Sequence, residues 1–69
     1  MHGPPLTRDE RAALVARQVA DLRDIGASLD RATRTVAHRH RISYRTVIQL
    51  LVYHQRATRR RRHPDSAAA

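Results

Sequence analysis

The sequence contains no cysteine. That absence removes disulfide staples, thiolate-bound zinc and thiol chemistry together. No apolar run approaches the roughly 18 residues that a membrane span requires, and the opening MHGPPL has neither the cationic start nor the apolar stretch of a secretory signal. The expectation is a soluble protein of the cytoplasm with no membrane partner. Aromatic residues are scarce: Tyr44 and Tyr53 stand alone, without Phe or Trp. Two rings are too few for a platform on which single-stranded bases stack. Lysine is missing as well, so all 14 basic residues are Arg. A GC-rich genome makes that exchange without any selection for binding. Acids, however, are scarce in one half only. Residues 1–30 hold four Arg and five acids, a net of −1; residues 31–69 hold ten Arg and one Asp, a net of +9. Codon bias cannot sort acids along a chain, so the asymmetry points to one side turned toward an anionic partner.

Metal and catalytic patterns are missing too. Five His are present, but His38 and His40 are two apart, which on a helix directs them to different faces. No HExxH or Cys pair accompanies them, so no metal is expected. No nucleophile–base arrangement, Gly-rich phosphate loop or carboxylate pair is visible. The chain is therefore read as a non-enzyme with no cofactor and no small-molecule substrate.

The sequence has 69 residues, one small domain whose core is marginal by surface-to-volume scaling, so a second copy is expected. Residues 1–6 read as a disordered lead-in, 7–58 as the folded domain and 59–69 as a basic, mostly disordered tail. Thr7 opens a T-R-D-E capping box closed by Glu10, with Asp9 in the first turn. Ala12, Val15, Val19, Leu22 and Ile25 then recur at steps of three and four, and Gly26 is a left-handed stop. This predicts a first helix over 8–25. Ser28 caps a second helix, with Leu29, Ala32 and Val36 on one side. The pattern breaks at Arg41-Ile42-Ser43, and a third helix starts at Tyr44. There is no strand candidate. The predicted class is all-α, three helices.

The stretch TRTVAHRHRISYRTVIQLLV, residues 33–52, resembles the helix-turn-helix of small bacterial and phage DNA-binding regulators of the repressor or Cro-like kind. That pattern wants a small residue where two steeply crossed helices meet, and Ala37 stands there. It wants apolar fasteners, met by Val36, Ile42, Val47 and Leu50, and a cap-type residue opening the second helix, met by Ser43. Two positions depart from it. Arg41 replaces the usual turn Gly, at a cost on the order of 1 kcal/mol if its φ is positive, and His40 replaces an apolar residue.

The resemblance implies sequence-specific binding of double-stranded DNA by a small transcriptional regulator near the nucleoid, with the third helix in the major groove. The base-reading candidates are Ser43, Tyr44, Arg45, Ile48 and Gln49: Arg45 for guanine, Gln49 for adenine, Ile48 for a thymine methyl. Phosphate contacts would come from Arg34, Arg39, Arg41, Arg56, Arg59, Arg60, Arg61 and Arg62, the last within RATRRRRH, Arg56–His63. The third helix is apolar on too many sides for two neighbours to cover. Ile48, Val52 and Tyr53 are therefore expected at a homodimer interface, whose two-fold axis would suit a palindromic site. Two other classes remain open: a module that docks a transcription component through the apolar third helix, and a basic RNA-binding or antitoxin-like protein.

Overall fold

Three helices make up the computed structural model, which describes residues 5–62: α1 (Arg8–Asp24), α2 (Leu29–His40) and α3 (Tyr44–Arg62). Among the described residues there is no strand, and the fold is all-α, as the periodicity predicts. No helix among these residues is long and apolar enough to cross a membrane. The expected lead-in and tail fall mainly on residues 1–4 and 63–69, outside the described residues.

The helix starts are local events. The Thr7 hydroxyl accepts the Glu10 N–H at 3.1 Å, and the Thr7 N–H donates to the Glu10 carboxylate at 2.9 Å, so the capping box closes in both directions. The Ser28 hydroxyl accepts the Arg31 N–H at 3.1 Å and opens α2.

The first two helices also end alike. Gly26 is left-handed at φ 103°. Its N–H donates to the Arg23 carbonyl, and the Ala27 N–H reaches back to Leu22, each at 3.0 Å. At the end of α2, Arg41 takes the left-handed role with φ 56° and ψ 43°. Its N–H donates to His38 at 3.2 Å and that of Ile42 to Ala37 at 3.0 Å. Both closures satisfy carbonyls that a helix end leaves bare. Each also folds the next residue, Ala27 or Ile42, back onto the core.

Small side chains fill that core: Ala12, Val15 and Val19 from α1, Ala32, Val36 and Ala37 from α2, Val47 and Leu50 from α3. Each helix packs against the other two. Ala and Val at the contacts let the axes approach closely. Thr33 is fully buried, but its hydroxyl donates to the Leu29 carbonyl at 2.7 Å, so its burial leaves no orphan polar atom.

Three expectations about extent are corrected. Ile25 does not continue the α1 stripe; it is 81% exposed, because the left-handed Gly26 turns the chain off the core face just after it. Leu29, placed on the core side of α2, stands 46% exposed at that helix's first residue. Helix α3 runs on through Arg62, beyond residue 58, since nothing in the sequence between Arg56 and Arg62 breaks a helix.

Candidate nucleic-acid interface

The joint between α2 and α3 is built from the positions expected to fasten it. Val36 and Val47 are fully buried, Ala37 is 6% exposed, Leu50 is buried, and Ile42 packs against them. His40 has its own physical account. Its Nε2 is 2.7 Å from the Gln18 carboxamide oxygen, so the imidazole ties the end of α2 to the middle of α1. A polar residue at this half-buried place is thereby satisfied.

Helix α3 differs from its neighbours in charge. The first turns of α1 and α2 carry Asp9, Glu10 and Asp30; the first turn of α3 carries no acid. Over its whole length α3 holds six Arg and no carboxylate. Its positive N-terminal end therefore has no neutralising side chain of its own.

Among the described residues, one face of α3 is left uncovered. Arg45, Gln49, Val52, Gln55, Arg56 and Arg59 are exposed, and Ile48 is half-buried beside them. Steps of three and four place these residues along one stripe. From Arg45 to Arg59 the stripe runs about 20 Å at 1.5 Å per residue. Cations stand at both ends, with Gln49, Ile48 and Val52 between them. Tyr44 sits at the leading edge, 41% exposed, and hydrogen bonding to the Asp30 carboxylate raises its phenol above the ordinary 10.0. Ser43 is less available. Its hydroxyl accepts the Thr46 N–H at 3.0 Å and shares a 2.8 Å hydrogen bond with the Thr46 hydroxyl, so it serves its own helix start.

The phosphate candidates are spread over two elements. Arg34, Arg39 and Arg41 are exposed on and after α2, and Arg56, Arg59 and Arg60 on α3. Arg61 and Arg62 continue the helix, and their side chains lie outside the described residues. Arg34 is shared: its Nε is 3.2 Å from Asp30, the one ion pair among the described residues. Both partners are exposed, so this pair adds little to stability. Two further exposed basic side chains on α2 were missed from the sequence. Arg31 and His38 line up with Arg34 and Arg41 at helical steps on the solvent side of α2. The three-and-four spacing was the available signal.

Tyr53 was placed with Ile48 and Val52 as apolar surface in need of cover. The structure brings it instead onto α1. Its hydroxyl donates to the Asp9 carboxylate, the Arg8 guanidinium lies over its ring at 4.9 Å, and the side chain is half-buried. Bonding to Asp9 raises the phenol, with Arg8 and Arg60 pulling the other way. Ile48 and Val52 remain on the outer stripe, Val52 at 41% exposure.

No group of three or more His or acidic side chains arranged to hold a metal occurs among the described residues. Comparison with known families, curated proteins and solved structures found no match to this chain. The outer surface of α3 has a chemistry of its own. It is a convex, cationic helix face with hydrogen-bonding and methyl-bearing groups interleaved.

Proposed function

We propose that this protein binds double-stranded DNA sequence-specifically, as a small transcriptional regulator, by laying α3 in the major groove. The observation that carries the reading is the exposed stripe of α3, acid-free and about 20 Å long, projecting from a helix pinned at a tight turn. An α-helix fits the major groove, and the residue types along this one match what base edges present there. Arg45 has two N–H donors to offer guanine, Gln49 a donor and an acceptor for adenine, and the methyls of Ile48 and Val52 pack against a thymine methyl. Ser43 and Tyr44 border that face. Arg34, Arg39, Arg41, Arg56 and Arg59–Arg62 stand around it as phosphate ligands.

Phosphate contact releases condensed counterions, so affinity must fall with salt at a slope of about −0.9 per phosphate neutralised. Titrating labelled duplex fragments at two salt concentrations tests the reading; a steep loss is expected, and flat dependence or no binding at low salt sinks it. Arg45→Ala is expected to cost about 1–3 kcal/mol on the preferred site and to relax its specificity. The exposed Val52 favours one rival, docking of a transcription component on α3. That contact would be nearly indifferent to salt.

A further inference from the structure

We propose that a cleft on the C-terminal half of α3, beside the first turn of α1, holds a backbone phosphate of the bound duplex, held by Arg56 and Arg60 with Arg8 alongside. This rests on the DNA-binding reading and extends its footprint to α1, which that reading leaves as inert support. Tyr53, Arg56, Ala57 and Arg60 line a cleft of about 80 Å³. That is several times the roughly 10–15 Å³ needed to admit one water. Arg8, from the other helix, lies over the ring of Tyr53 at 4.9 Å, and Tyr53 is one of the residues that line the cleft. Stacking occupies the face of a guanidinium and leaves the N–H groups along its edge free to grip an oxyanion. Arg8 and Arg60 both pull the Tyr53 phenol down, as cations from two helices in its neighbourhood do.

Three cations around Tyr53 face one carboxylate there, Asp9, and so keep an excess of positive charge. The acid at hand, Asp9, is engaged by the Tyr53 hydroxyl. None of Arg8, Arg56 and Arg60 forms an ion pair among the described residues. A phosphate oxygen supplies the missing acceptor. Position agrees with this role: Arg56 belongs both to the cleft and to the edge of the outer stripe. A strand passing beside α3 would meet the cleft as its next phosphate-binding point.

The test compares the salt dependence of duplex binding by the full chain, Arg8→Gln, Arg60→Gln and, as control, the exposed Arg17→Gln on the far side of α1. Arg8 lies in the first turn of α1, where a cation opposes the helix dipole, so its replacement offsets part of what the lost contact with Tyr53 costs, and a thermal melt of each variant checks that it is folded. Each cleft variant is expected to make the slope of log affinity against log salt shallower by about 0.9. Preference among duplex sequences should stay unchanged, and Arg17→Gln should match the wild type. Wild-type slopes from both cleft variants, with the wild type binding steeply, overturn the cleft alone. No duplex binding by the wild type at low salt overturns the underlying reading and the cleft with it. A change of sequence preference in Arg8→Gln would also overturn it, since a phosphate contact carries no base information.

Discussion

Arg41 holds a backbone conformation that suits glycine, at φ 56° and ψ 43°. For a residue with a Cβ this costs about 1–2 kcal/mol. Strain of this kind is tolerated where the side chain is wanted for something else, and on the proposed surface it is one of the cations beside α3. Arg41→Gly should therefore raise the melting temperature, with a net gain under about 1 kcal/mol once the greater unfolded freedom of Gly is counted. The same change should flatten the salt slope of DNA binding by about 0.9. A variant no more stable than the wild type would show that the left-handed turn is not strained. Glu10 is the other residue whose state matters. Hydrogen bonding from the Thr7 backbone holds its carboxyl below the ordinary 4.5. A depressed folded pKa means stability that is present above the unfolded value and lost as pH falls through the folded one. Thermal melts between pH 6 and pH 3 should show the loss setting in below about 4.5, and Glu10→Gln, which keeps the oxygen acceptor, should reduce it. Both residues were legible in the sequence, because caps and turns are written within four consecutive positions.

At the level of elements, α1 and α2 were readable from period and caps, and the errors came at their ends. Ile25 keeps the step of three that Leu22 sets, yet the next residue turns the chain, and periodicity carries no information about that. For α3 the difficulty was different. Its apolar excess signals that cover is needed without saying whose. Tyr53 found cover on α1, while Ile48 and Val52 share the outer stripe with Arg45, Gln49 and Arg56. A second copy using Val52 and a duplex using Arg45 would thus compete for one face. On the proposed reading, a homodimer through that face would be a DNA-free form. Pairing two such faces also brings Arg45, Arg56 and Arg59 of one copy toward those of the other, so self-association should strengthen as salt screens them. Sedimentation at micromolar concentration, with and without excess duplex, checks this. Dimers that grow with salt and dissociate on DNA are expected, and Val52→Glu should weaken both states of assembly. A Val52→Glu monomer with wild-type DNA affinity would separate the two surfaces.

Across the whole molecule, the bond between Tyr53 and Asp9 spans 44 positions of sequence. No local pattern announces a pairing of that reach, and the same holds for His40 with Gln18, 22 apart. Nothing in the spacing of one partner constrains the other until the helices are docked. That distance bears on the order of folding. The caps and the two left-handed closures join residues at most five apart, so they can form as soon as each helix does. The link from α3 to the first turn of α1 needs most of the chain already in place, and its loop-closure entropy is the largest among these bonds. It belongs on the native side of the folding barrier. Tyr53→Phe keeps the ring under Arg8 and deletes only the hydroxyl, so it should speed unfolding and leave the folding rate nearly unchanged in a denaturant chevron. A slower folding arm would place α1 against α3 in the transition state. With the expected result, α1 is the helix that arrives last and is most easily released.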